Sequence, residues 1–194
     1  MIAVRVTLIA VAATSTLRRA AFPADAPLDS AGVRMAGERA GAIRRGGRVL
    51  ISPAVAARQT AEALGLVGET AAALADCDYG RWAGQSLEAV GAAEPAALAA
   101  WLEDEAAAPH GGESHRQLRE RAGAWLAGAA ALGGHTIAVT HAAVIRAAVV
   151  QAIEAGPRSF WRIDIAPLSQ TLLTHSHGQW RLGAIVPRTE AGRG

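Results

Sequence analysis

Residues 4–14, Val4-Arg5-Val6-Thr7-Leu8-Ile9-Ala10-Val11-Ala12-Ala13-Thr14, decide the fold. The stretch alternates apolar with polar and then runs apolar for about seven residues, as a strand does on entering a core. It breaks into the loop Thr14-Ser15-Thr16. In an open α/β sheet, ligand chemistry sits where a strand ends and its loop begins. Here that position reads Ala10, Val11, Ala12, Ala13, with no nucleophile, acid or base. The rest of the chain is arranged around a first strand that has been chemically emptied.

At 194 residues the chain suits one domain able to bury a core of its own. We expect residues 1–187 to form it and 188–194 to be a disordered tail. The apolar fraction of 51% is inflated by alanine, and every basic residue is arginine. A pI near 9.4 raises the question of nucleic acid, yet the net charge is only +2. The arginines lie scattered among acids, apart from Arg18-Arg19 and Arg44-Arg45, so no clustered basic face is expected and no nucleic-acid partner. Cys77 is the only cysteine, which excludes an internal disulfide and points to a reducing compartment. Arg5 interrupts the N-terminal apolar run, and no charged leader precedes it, against a signal peptide. No run approaches the roughly 18 apolar residues of a membrane span. The expectation is a soluble, cytoplasmic protein.

Along the chain, Ser15 to Ser30 reads as a polar loop. Asp29 or Ser30 can cap a helix to about Arg45, with Val33, Ala36, Ala40 and Ile43 at helical spacing. Arg48 to Ile51 is a short strand, and Ser52-Pro53 starts a second helix. Leu74 to Gly84 is extended and turning, with helical segments near 86–90 and 95–104. The glycine turn His110 to Ser114 feeds a long helix to about Ala131, with Leu118, Trp125 and Leu126 buried. His135 to Thr140 is a strand that runs into a helix opening at His141. Strands are expected near 161–165 and 170–175, with another possible at 180–186. Strands alternating with helices imply βαβ units: an α/β fold, a three-layer α/β/α sandwich with a mainly parallel sheet and an antiparallel edge.

Several segments together resemble the histidine phosphatase superfamily, with its phosphoglycerate mutase-like fold. Thr7 to Thr14 resembles the first-strand motif, which in the family ends in Arg-His-Gly. Ser52 to Leu64 resembles the Ser-Pro-x-x-Arg-Ala-x-x-Thr helix start. Leu74 to Gly84 resembles the loop carrying an acidic proton donor, and Val139 to Arg146 the strand end presenting a second histidine. His110 to Ser114 fits the family's Gly-Gly-Glu-Ser turn. The resemblance implies phosphoryl transfer to the first histidine, with two arginines and the second histidine holding phosphate oxygens. Carried over residue by residue, that nucleophile falls on Val11, the arginine before it on Ala10 and the second arginine on Ala56. Only His141, as second histidine, and Asp76, as acid, remain as catalytic remnants. Replacement of the nucleophile alone would suit a substrate-trapping variant; three losses in one pocket do not. Loop chemistry and chain length lie nearer the small-ester phosphatases of the α-ribazole phosphatase kind than the glycolytic mutases.

His141, at a strand end and helix N-terminus, is either a ligand contact or a buried histidine bonded to a loop. Asp76 is either a general acid or a loop-capping aspartate beside Asp78. Arg18 and Arg19 are candidate substitute phosphate ligands, with Thr14 and Ala142 further ligand-binding candidates. Arg58 is expected to point outward, and Glu113 and His115 to lie on an exposed rim. His175 and His177 would share one strand face, but no third metal ligand accompanies them, so neither metal nor cofactor is expected.

The leading expectation is a pseudo-phosphatase or binding protein without phosphohistidine chemistry, its pocket open to a small molecule or a protein. The alternative is an enzyme with a rebuilt mechanism using His141 and Asp76 as an acid–base pair on a small ester. The two are separated by whether those side chains converge within hydrogen-bonding reach of one pocket. A third possibility is a phosphatase whose phosphate site is rebuilt from Arg18, Arg19 and His141.

Overall fold

The computed structural model describes residues 4–43 and 46–186. Strand β1 (Val4–Ala10) lies inside a six-stranded sheet, followed in the chain by α1 (Ser15–Arg18), α2 (Ser30–Gly37) and β2 (Arg48–Ile51). Then come α3 (Val55–Ala63), β3 (Glu69–Thr70), α4 (Leu87–Ala93), α5 (Pro95–Glu103) and α6 (His115–Leu132). The chain closes through β4 (His135–Thr140), α7 (Ala142–Ala152) and the hairpin β5 (Gln170–Ser176) and β6 (Gln179–Val186). The sheet order is β3-β2-β4-β1-β5-β6; the first four strands are parallel, and β5 and β6 form the antiparallel edge. No helix among the described residues is long and apolar enough to cross a membrane.

The pleat of β1 sends alternate side chains into different layers. Val6, Leu8 and Ala10 join Ala138 of β4, Leu118, Ala122 and Leu126 of α6, and most of α7. Ile9 faces the other way, with Ile137 and Val139 of β4 and the alanines Ala56, Ala57 and Ala61 of α3. The three-layer sandwich thus follows from an alternation visible in residues 4–10, and the small alanine side chains let α3 lie close to the sheet.

Some boundaries differ from expectation. Helix α2 is capped by Asp29, whose Oδ1 accepts from Gly32 N at 2.6 Å, but it ends at Gly37 rather than near Arg45. Val33 and Ala40 are exposed and Ala36 is buried. Gly32, rather than an apolar stripe, sets the packing, because a Cβ there would stand 2.2 Å from the Ala13 carbonyl oxygen. Arg44, Arg45 and the expected tail at 188–194 lie outside the described residues. The expected loop at 15–30 includes the single turn α1, capped by Thr14. The strand expected at 161–165 is absent; Pro157–Arg162 form a 3-10 turn, and the Ile163 carbonyl is taken by Arg146 Nε at 2.8 Å instead of by a neighbouring strand. His177 sits in the β5–β6 turn at φ 54°, so it does not share a strand face with His175.

The glycine turn is also buried more deeply than expected. A Cβ on Gly80 would lie 2.2 Å from the His110 carbonyl oxygen, so two loops meet backbone to backbone there. His115 is 7% exposed, not on a rim, with its ring within 5 Å of Trp101, Phe160 and Trp161 centroids. Glu113 is half-buried and paired with Arg121. Ser114 and Gln117 form a reciprocal capping box that opens α6. Ser114→Ala is expected to cost about 1 kcal/mol in chemical denaturation; unchanged stability would show that the cap contributes nothing.

Candidate functional site

Val11 N donates to the Thr140 carbonyl at 2.8 Å, so parallel pairing carries Val11 to the end of β4, one residue before His141. Ser52 N donates to the Val139 carbonyl at 2.9 Å, bringing the end of β2 to the same level. Thr60 of α3 ties the third wall: its hydroxyl accepts from Ala12 N at 3.1 Å and donates to the Ala56 carbonyl at 2.7 Å. Strand ends that are far apart in the chain therefore open onto one space.

Asp76 reaches that space on an irregular loop held from behind. Thr140 Oγ1 donates to the Leu74 carbonyl at 2.7 Å. The Arg121 guanidinium donates to the carbonyls of Ala73, Ala75 and Asp76, while Glu113 holds it through both carboxylate oxygens. One arginine on α6 thereby satisfies three loop carbonyls that no strand or helix could. Cys77 beside Asp76 is buried, and burial pushes its thiol well above the usual range, so it is not a nucleophile at neutral pH.

The space is a cavity of about 500 Å³. Ala10, Val11, Ala56, Thr14, Ala142, Asp76 and His141 all line it. Arg18 and Arg19 do not. Arg18 Nε instead donates to Asp29 Oδ2 at 2.5 Å on the surface, and Arg19 is exposed. Arg58 is exposed and lies outside the lining, as its position on α3 suggested. Four ionisable lining residues were missed in the sequence: Asp25, Tyr79, Arg146 and Asp164. Only Arg146 left a local signal, lying just over one helical turn after His141 on α7. Among the described residues it is the only arginine in the lining, against the carboxylates of Asp25, Asp76 and Asp164. The charged lining is thus mainly acidic, which opposes a dianionic ester.

His141 is 7% exposed. Its Nδ1 lies 3.2 Å from Asp76 Oδ2, and its Nε2 bonds Ser52 Oγ at 3.0 Å. Asp76 Oδ1 accepts from Cys77 N at 2.8 Å. The order Ser52–His141–Asp76 has the connectivity of a Ser-His-Asp triad. Ser52, however, is fully buried, does not line the cavity, and also accepts from Ala54 N at 3.4 Å. It is a poor nucleophile for want of access. Both ring nitrogens of His141 face protein groups, so the convergence with Asp76 is present while neither nitrogen is left for a ligand. Among the described residues, no group of three or more His, Cys, Asp or Glu is placed to hold a metal ion.

The sequence pattern of the Histidine phosphatase superfamily (branch 1) matches residues 10–186. No curated protein matches the chain. Among solved structures, a mutant phosphoserine phosphatase from Entamoeba histolytica in complex with phosphoserine is similar at TM-score 0.86 and 18% identity, covering 95% of this chain and 98% of that one. A mycobacterial glucosyl-3-phosphoglycerate phosphatase gives 0.82 and 24%, covering 94% and 98%. The α-ribazole phosphatase from Shigella flexneri gives 0.81 and 18%, covering 95% and 96%. These identities speak to the fold, which is phosphoglycerate mutase-like.

Proposed function

The chain belongs to the histidine phosphatase superfamily (branch 1), and on that basis we propose that it is a binding protein on the phosphatase scaffold, without phosphohistidine chemistry. The observation that carries this is the cavity wall itself: Ala10, Val11 and Ala56 line the space where the family motifs have arginine, histidine and arginine. Valine has no lone pair to accept a phosphoryl group, and each missing arginine removes a charge-assisted, bidentate contact with phosphate oxygens. The occupation of both His141 nitrogens by Ser52 and Asp76 supports the same conclusion. A cavity of about 500 Å³ lies within the range of small-molecule sites, and its alanine and valine walls favour an apolar ligand body.

Hydrolysis of p-nitrophenyl phosphate is expected at the rate of buffer alone, and vanadate to bind no tighter than millimolar, since each lost charged contact contributes about 1.5–3 kcal/mol. Robust turnover that vanishes in His141→Ala would sink the proposal. The acid–base reading keeps one supporting observation, the 3.2 Å approach of His141 to Asp76. It predicts His141-dependent hydrolysis of uncharged esters such as p-nitrophenyl acetate, which the binding reading does not.

A further inference from the structure

We propose that the ligand of this cavity is an organic monocarboxylate, with an apolar body against Ala10, Val11 and Ala56 and its carboxylate on the Arg146 guanidinium. The inference rests on the binding-protein reading and names the ligand class for the same site.

Arg146 is half-buried on α7 and is the only arginine that lines the cavity among the described residues. Its Nε donates to the Ile163 carbonyl at 2.8 Å, and its Cζ lies 5.9 Å from the centre of the Phe160 ring. These contacts hold the guanidinium in place without spending its outer edge. Among the described residues, Nη1 and Nη2 make no hydrogen bond and Arg146 makes no ion pair. The half-buried arginines of α6 differ: Arg119 pairs with Glu105 and Arg121 with Glu113. A half-buried fork of donors therefore faces the cavity without an anion.

The other polar groups of the lining favour an acceptor as ligand. Asp25 and Asp164 are exposed, so water and salt screen their charge. Asp76 has both oxygens engaged, by Cys77 N and His141 Nδ1, and the second nitrogen of His141 is taken by Ser52. Thr14 and Thr16 also line the cavity, and the 2.8 Å bond between their hydroxyls uses one of the two hydroxyl hydrogens. The other is a donor left over beside the buried Thr16. What the sheltered walls still offer is thus donors, and a carboxylate is a pure acceptor. One guanidinium edge matches one carboxylate both in bidentate geometry and in charge. A phosphate monoester brings a second negative charge, which no further arginine of the lining meets.

The test is a matched series, 3-phenylpropionate, its neutral amide 3-phenylpropanamide and phenethyl phosphate, titrated by calorimetry into the full chain. The carboxylate is expected to bind about tenfold tighter than the amide, from a partly exposed bidentate ion pair. The advantage should shrink with salt. Arg146→Gln should bring the carboxylate to the level of the amide and leave the amide's own affinity unchanged. Arg146→Lys, which keeps the charge and loses the fork, should retain only part of the preference. Val11→Trp, which obstructs the cavity, should abolish binding of both. Thermal unfolding of each variant is compared first; if Arg146→Gln does not fold, Arg146→Lys and the salt dependence decide. Equal binding of carboxylate and amide, with both lost in Val11→Trp, overturns the carboxylate inference and leaves the binding-protein reading standing. A preference that survives unchanged in Arg146→Gln, or in Arg146→Lys at every salt concentration, overturns the inference too. Preference for the phosphate ester overturns both readings. No binding by any of the three also overturns the carboxylate inference.

Discussion

The triple variant Ala10→Arg, Val11→His, Ala56→Arg is expected to hydrolyse p-nitrophenyl phosphate about a thousandfold faster than the unaltered protein and to form a trappable phosphohistidine at position 11. The expected size follows from what is returned: a nucleophile and two clamps on the charge that develops in the transition state. The three positions share one cavity of about 500 Å³, so the longer side chains have space to enter. Ala10 and Ala56 are buried, and uncompensated charge there would be expensive. The carboxylates of Asp25, Asp76 and Asp164 along the same wall supply compensation. Val11→His alone is expected to do little, because an unclamped phosphate is poorly aligned for in-line attack. The two arginines alone should restore vanadate binding without turnover. Thermal unfolding is measured first to establish that the variant folds. A folded triple variant that neither binds vanadate nor forms phosphohistidine would show that the backbone around the site has also departed from a phosphatase geometry.

Acid is expected to destabilise the protein through His115. Its imidazole is packed among Trp101, Phe160 and Trp161, and burial first, then the neighbouring His110, lowers its pKa from 6.5 to about 4; Glu105 pulls the other way. The unfolded chain therefore binds a proton that the folded chain refuses, so stability rises with pH between those values. The contribution is complete above pH 6.5 and is lost as pH falls toward 4. The difference amounts to about 3 kcal/mol. His110 nearby, also lowered by burial, adds in the same direction. Carboxylates titrate over part of this window, so the measurement is a comparison with His115→Leu in chemical denaturation at pH 7.5 and pH 4. Relative to the variant, the native protein should lose about 3 kcal/mol on acidification. An equal loss in both would show that His115 is not the titrating group.

His115 also shows why part of the molecule was illegible. Its neighbours in sequence, Glu113, Ser114 and Arg116, suggest a polar rim. The rings that bury it come from residues 101 and 160–161, and no local period announces them. The same holds at the site. Ser52 engages His141 from another strand end, 89 residues away, and Arg18 pairs with Asp29 on the surface instead of entering the cavity. In place of the strand expected at 161–165, Trp161 packs against Trp101 and Phe160, and Arg146 takes the Ile163 carbonyl that a strand would have paired.

What the sequence by itself determined was whatever depends on local order. The alternation of Val4 to Ala10 placed a strand between two layers, Asp29 and Ser114 cap their helices, and Ala10, Val11 and Ala56, singled out by their motif positions, line one cavity. These follow from backbone period and from hydrogen bonds spanning two to four residues, which neighbouring letters encode. Only the tertiary structure decided the sign of the pocket's charge and the sealing of His141 between Ser52 and Asp76. Each depends on side chains brought together from separate strand ends and loops, and on which of them reaches its partner first. Long-range packing makes that choice, and sequence spacing does not record it.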